Sequence, residues 1–330
     1  IDQQRKDFLE SEIKYKKGDG NITTTKNELK LSNNKILIKY DLDQGFYSGI
    51  YNNFPGSGYI DFFENNLVIL SSRGVLAHIN LDNLNNEGYF KQIENNINKF
   101  MKIKQMSKDT RFSLKDSFIY KNKLFISYTE EIKKDCWNTS VIYGDINLEK
   151  IDFKKLFSPS ECVHSYDNVD KEFNPHSSGG RIVNVDNNHI LLTIGEYNSR
   201  FLSQDKKSVN GKIIKLNINN GNYEIISMGH RNAQGLYFDK EKNFIIETEH
   251  GPYGGDEINL IEIDKINKDI ILNYGWPLAS YGEHYGGGKS NKNNDWKYAK
   301  YPLYKSHSEH GFIEPLKSFV PSIAISQIVK

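Results

Sequence analysis

Cysteine is almost missing from this chain, with two among 330 residues, Cys136 and Cys162. That excludes a small fold stapled by several disulfides. Neither cysteine lies in a CxxC pair or has a histidine at ligand spacing, so the cysteines supply no zinc or redox centre. One disulfide in an oxidising compartment and two buried thiols both remain open readings. Proline is scarce, 8 residues against 25 glycines, which excludes collagen-like and proline-rich chains. A hydrophobic share of 37% with 12% aromatic residues is the mix of a folded globular protein. Charge of one sign is lacking too, since 43 Lys and Arg oppose 42 Asp and Glu for a net +1. Such a balance gives no field of the kind that holds a nucleic acid backbone, and no nucleic-acid partner is expected. No apolar run reaches the roughly 18 residues of a membrane-spanning helix, so no membrane span is expected in this chain. The first residue is Ile rather than Met, and the expectation is a chain that has lost a leader or belongs to a longer one.

What is present is a repeat. Residues 1–35 are mostly polar, and a short amphipathic stretch at Phe8-Leu9-Glu10-Ser11-Glu12-Ile13 is broken by Gly18-Asp19-Gly20-Asn21; this stretch is expected to be an N-terminal arm. From 36 to 330 a unit recurs, made of a β-rich run, a turn of Asn, Asp, Lys or Gly, a second run and then a third. The copies run over 59–79, 116–143, 180–216 and 235–261, with Pro321-Ser322-Ile323-Ala324-Ile325 reading as the opening of a fifth. Four meanders at roughly fifty-residue spacing predict an all-β protein of the β-propeller class, in which radial repetition protects the sheet edges. A β-sandwich would space its strands evenly without this longer period.

Between and after the last two copies the sequence becomes specific. Gly229-His230-Arg231-Asn232-Ala233-Gln234-Gly235 precedes the fourth copy, and Glu249-His250-Gly251-Pro252-Tyr253-Gly254-Gly255-Asp256-Glu257-Ile258-Asn259 lies inside it. Asn273-Tyr274-Gly275-Trp276-Pro277 and Ser280-Tyr281-Gly282 follow. Together these segments resemble the soluble quinoprotein glucose and aldose sugar dehydrogenase family, with Ala233 where the family pattern has Pro. Gly179-Gly180-Arg181-Ile182, Thr193-Ile194-Gly195-Glu196 and Pro321-Ser322-Ile323-Ala324 match shorter family segments. The resemblance covers residues 115–325 well and the N-terminal third only as a strand pattern.

It implies a six-bladed propeller that binds pyrroloquinoline quinone (PQQ) and calcium. It further implies oxidation of an aldose or sugar aldehyde, passage of electrons to an external acceptor, and a periplasmic or extracellular location. A tricarboxylated ortho-quinone needs cationic and amide donors, which Arg231, Asn232 and Gln234 offer from one loop, with His250 beside them. For calcium, the resemblance assigns the carbonyls of Gly251 and Pro252, and for a second calcium Glu257 and the carbonyl of Tyr274; hard cations take oxygen ligands. The base that accepts the sugar hydroxyl proton is expected to be His176, one residue earlier than the family position, which is Ser177 here. A bulge at Ser178-Gly179 would reconcile the slip. Tyr281, His284, Tyr285, His307 and His310 read as loop packing or as a surface that grips a sugar. Family members carry further basic cofactor residues beyond the Pro-Ser-Ile-Ala segment, and this chain ends at Lys330. Two expectations follow: a longer native protein, or a non-catalytic propeller that binds a carbohydrate or protein partner.

Overall fold

Runs of β-branched and aromatic residues, cut by polar turns and by two longer loops at 195–211 and 250–255, fold as antiparallel meanders. The computed structural model describes residues 20–42, 46, 58–86, 88–102, 105, 111–266 and 270–329, and the Phe8–Ile13 stretch lies outside them. The chain forms two compact units, 1–126 with 142–155 and 127–141 with 156–330. In the first, β1 (Ile22–Lys30) and β2 (Ile36–Leu42) make a hairpin, and β3 (Gly58–Phe63), β4 (Asn66–Ser71) and β5 (Leu76–Asn80) make the first expected meander. The strand β6 (Tyr89–Gln92) joins them into a sheet of order β2-β1-β6-β5-β4-β3. Residues 22–30 were expected in a polar arm. They are instead a strand with both faces largely exposed, so no apolar alternation marks it in the sequence.

The two-residue β7 (Glu94–Asn95) precedes the second meander, β8 (Leu114–Tyr120), β9 (Lys123–Lys133) and β10 (Cys136–Asp145). Then follow β11 (Lys150–Ile151), which pairs with β7, and β12 (Lys154–Phe157), which extends the sheet to β12-β10-β9-β8. A short β13 (Val163–His164) pairs with the start of β10, with Cys136 opposite His164. There Cys136 and Cys162 form a disulfide, Cα atoms 5.3 Å apart, which settles the open choice at this pair.

The second unit holds the last two meanders. One is β14 (Gly179–Asp186), β15 (His189–Ile194) and β16 (Lys212–Asn217) with β17 (Tyr223–Met228) outside it. The other is β18 (Ala233–Asp239), β19 (Phe244–Glu249) and β20 (Asp256–Glu262). Two late strands complete the sheets, β21 (Leu272–Asn273) beside β17 and β22 (Lys317–Phe319) beside β20. Leu191, Ile213, Ile226, Leu236, Ile245, Ile261, Leu272 and Tyr274 form the buried core between them. Each such aliphatic side chain contributes about 1.5–3 kcal/mol by leaving water.

The expected opening of a fifth copy differs. Residues 321–329 carry no strand. Their backbone is drawn instead to Asp256, whose Oδ2 accepts the N–H groups of Ile323, Ala324 and Ile325 at 3.1, 2.7 and 3.4 Å.

The disulfide spans a sequence separation of 26, so by loop-closure entropy it contributes about 3 kcal/mol. Cys136→Ser with Cys162→Ser is expected to lower unfolding stability by about that amount in urea titrations. An unchanged midpoint would contradict the assignment.

Candidate functional site

Arg231 sits in the tight turn between β17 and β18 and is buried. Its amide donates to Glu249 Oε2 at 2.6 Å, and its guanidinium Nη1 donates to the carbonyls of His250 and Gly251 at 2.8 and 2.7 Å. The guanidinium also lies 5.6 Å from the Trp276 ring centre and 5.8 Å from that of Tyr285, a cation–π arrangement on two aromatic walls. With Nη1 used twice, Nε and Nη2 remain to donate to a ligand. Asn232 Oδ1 accepts from the Gly179 amide at 3.1 Å and from Gln234 Nε2 at 2.8 Å, which leaves Nδ2 as its unused donor. Gln234 was expected to face a cofactor. One N–H of its amide is turned onto Asn232 and fixes that side chain, which leaves its second N–H as a donor. The His250 amide donates to the Asn232 carbonyl at 3.1 Å, while its ring Nε2 donates to the Ile325 carbonyl at 2.5 Å. Thus Arg231 and Asn232 present donors together, with Gln234 and His250 behind them.

The residues expected to hold metal are brought near the same loop, with their oxygens already engaged. Gly251 packs so closely that a Cβ there would stand 1.6 Å from the Gly255 carbonyl oxygen, and glycine is required. Its carbonyl faces the Arg231 cation, and the Pro252 carbonyl accepts the Gly255 amide at 3.2 Å. A divalent ion on both carbonyls would stand against a guanidinium, and the arrangement seen does not fit calcium there. Glu257 and the Tyr274 carbonyl are likewise close, with His307 between them. His307 Nδ1 donates to the Tyr274 carbonyl at 3.0 Å and Nε2 lies 3.5 Å from Glu257 Oε1. Burial pushes the Glu257 carboxyl up, with His307 pulling it back. Burial also works against charge on the His307 ring, but Glu257 outweighs it and raises that pKa. The imidazole occupies the bridging place expected for a second calcium.

His176 is exposed, whereas Ser177 is buried with Oγ on Asn198 Oδ1 at 3.3 Å. Three residues on, Gly179 adopts φ +60° and the β14–β15 register shifts between Gly179 and Ile182. The bulge therefore falls at the start of β14, next to the residue whose amide meets Asn232. Of the five aromatic and histidine residues named from the late loop, only Tyr285 reaches Arg231. His284 bonds the Tyr301 carbonyl, with burial pushing its ring down to about 4. Tyr281 stacks on His307, and His310 stacks on Tyr304. Sequence reasoning missed Tyr253, 68% exposed, whose ring meets the 54% exposed Tyr285 edge-on at 6.2 Å. It also passed over the acid in Thr193-Ile194-Gly195-Glu196. Glu196 is fully buried, its amide donates to the Arg231 carbonyl at 3.1 Å, and neither carboxylate oxygen has a hydrogen-bond partner among the described residues. Burial pushes it up to about 7 against the pull of Arg231 and Arg200.

The profile of the Glucose / Sorbosone dehydrogenase family matches residues 111–330. The chain is 31% identical over 192 residues to the aldose sugar dehydrogenase YliI of Escherichia coli, across 53% of this chain and 47% of that protein. A Synechocystis protein of uncharacterized activity is 30% identical over 172 residues, 45% of this chain and 37% of its own length. The matches span about half or less of those relatives. Among solved structures, the apo form of the soluble E. coli aldose sugar dehydrogenase superposes with TM-score 0.60 at 24% identity, over 82% of this chain and 73% of that one. The PQQ-bound aldose sugar dehydrogenase of Streptomyces coelicolor gives TM-score 0.51 at 17% identity, over 81% and 73%. The fold is all-β, of the β-propeller class. The chain belongs to the glucose/sorbosone dehydrogenase family.

Because folded Glu196 holds its proton up to about pH 7 against 4.5 in the unfolded chain, it contributes full stability below 4.5 and loses it as pH rises through 7. Glu196→Gln is expected to raise Tm relative to the parent at pH 8 by several degrees, at about 2–4 °C per kcal/mol, and to bring little change at pH 4. Thermal melts across that range check it. A difference independent of pH would contradict the burial reading.

Proposed function

We propose that this chain is the propeller of a quinoprotein sugar dehydrogenase, oxidising an aldose or sugar aldehyde to its lactone or acid with PQQ held at Arg231 and Asn232. The observation that carries the reading is the buried Arg231, clamped by two carbonyls and two aromatic rings yet left with Nε and Nη2 beside Asn232 Nδ2. Such a fixed set of donors suits the carbonyl and carboxylate oxygens of the quinone. The family match, the kinship with the E. coli aldose sugar dehydrogenase and the quinone bound to the Streptomyces protein support the same chemistry.

When bound, PQQ would supply a two-electron acceptor for the hydride released from the anomeric carbon. Arg231 and Asn232 would hold it through their unused N–H groups. His176 takes the sugar hydroxyl proton, a role that a neutral imidazole can fill as a general base. The exposed Tyr253 and Tyr285 rings offer apolar faces for sugar C–H groups. Calcium at Gly251 and Pro252 would have to displace the guanidinium, and no step is assigned to it. Glu257 and the Tyr274 carbonyl are joined by His307 and are given a structural role. A periplasmic or extracellular location is proposed from the disulfide, with re-oxidation by an external electron acceptor.

The purified chain, supplied with PQQ, is expected to reduce a redox dye when given aldoses, with no requirement for added calcium. His176→Ala should lower kcat by about a hundredfold or more while leaving quinone binding nearly intact. Near-normal turnover in that variant would remove His176 from the mechanism. Quinone binding without turnover on any sugar would point to a non-catalytic propeller.

A further inference from the structure

Behind the Arg231 loop lies a second group of polar side chains for which the proposed sugar chemistry has no use. Glu247 and Glu249 alternate along β19 and so share one face, and across the β19–β20 ladder Glu247 stands opposite Asn259 and Glu249 opposite Glu257. His230 enters the same space from the preceding turn. His230, Glu247, Glu249 and Asn259 are all buried, and ligand atoms of His230, Glu247 and Glu249 lie within 4.8 Å of one another.

Like charges facing each other across a ladder are unfavourable, the more so out of water. The partners on hand do not neutralise them. Asn259 Nδ2 donates to Glu247 Oε2 at 3.0 Å and to Glu249 Oε1 at 3.1 Å, and the Arg231 amide takes Glu249 Oε2. His230 Nδ1 and Glu247 Oε1 have no hydrogen bond among the described residues, although both are buried.

The imidazole is oriented for ligation. Its Nε2 is held by Ser227 Oγ at 2.8 Å and its face is stacked on Tyr274 at 5.0 Å. With Nε2–H donating to the serine, the bare Nδ1 lone pair points at two carboxylates, 3.8 Å from Glu247 Oε2 and 3.8 Å from Glu249 Oε1. That gap is too long for a hydrogen bond. It suits two ligands of one ion, since atoms about 2.0–2.2 Å from zinc at tetrahedral to trigonal angles stand roughly 3.3–3.8 Å apart.

We propose that His230 Nδ1, Glu247 and Glu249 bind one divalent transition-metal ion, zinc being the best match, with the unpartnered Glu247 Oε1 available to complete its coordination. An imidazole ligand selects against calcium and magnesium, which take oxygen donors. Ser227 and Asn259 form the outer shell that fixes the ring and both carboxylates. Since Glu249 also holds the Arg231 amide, the ion would anchor the loop that presents Arg231. Its three ligands are none of the residues expected to hold calcium, although His230 stacks on Tyr274 and Glu249 faces Glu257 across the ladder, and it does not depend on the sugar reaction.

The test uses the full chain stripped with a chelator, dialysed and titrated with zinc chloride. Uptake of one zinc per chain and a Tm several degrees higher are expected. His230→Gln, which can keep the Ser227 contact while removing Nδ1, and Glu247→Gln should each weaken uptake at least tenfold. An anomalous difference map of zinc-loaded wild-type crystals should show its peak within bonding distance of His230 Nδ1, and this readout needs no variant. No uptake at micromolar zinc, a peak at another histidine, or the same stabilisation from calcium alone would overturn the proposal.

Discussion

The contact of Arg231 with the carbonyls of His250 and Gly251 organises everything around the site. One guanidinium nitrogen links the turn before β18 to the loop between β19 and β20, and charge-assisted bonds of this kind are among the stronger ones a protein makes. The same residue is held through its own amide by Glu249, through its carbonyl by the Glu196 amide, and on its flat faces by Trp276 and Tyr285. A flexible cation is thereby converted into a fixed pair of N–H donors. Preorganisation of that kind is what recognition of an anionic planar ligand requires.

Much of this was legible in the sequence, because strand runs and polar turns are local signals. All four meanders fall where the repeat predicts, from β3 to β5 through β18 to β20, with boundaries extended at the ends. Arg231, Asn232, Gly251 and Glu257, which the long motifs single out, all lie in the second compact unit. What was not legible is which polar group each one meets. Nothing in Gly251-Pro252 tells that Arg231 and Gly255 already use these carbonyls, and nothing near Glu257 announces His307, 50 positions away, as its partner. The strand β1 escaped because its polar residues lie on both faces. Glu247 and Glu249 were readable as two acids on one face of a strand, but their meeting with His230 is a tertiary fact.

Buried acids set the second theme. Glu196, Glu247, Glu249 and Glu257 surround the Arg231 loop from behind, each withdrawn from water. Burial raises the Glu196, Glu247 and Glu257 carboxyls above the usual carboxylate range, at a cost in stability that grows as pH rises and they ionise. Strain of this sort is common where function needs a fixed group in a dry place. The Asp256 carboxylate adds to it by gathering the amides of Gly251 and Ile323 to Ile325, which ties the end of the described chain to the same loop.

The central claim is that Arg231 and Asn232 form a preorganised PQQ site, and the most direct measurement is equilibrium titration of the quinone followed by quenching of tryptophan fluorescence, since Trp276 lies against Arg231. Saturable binding of one quinone per chain is expected, weakened about ten- to a hundredfold in Arg231→Gln through loss of one charged hydrogen-bonding group. Absence of saturable quenching by a correctly folded chain, or equal affinity in the variant, would contradict it.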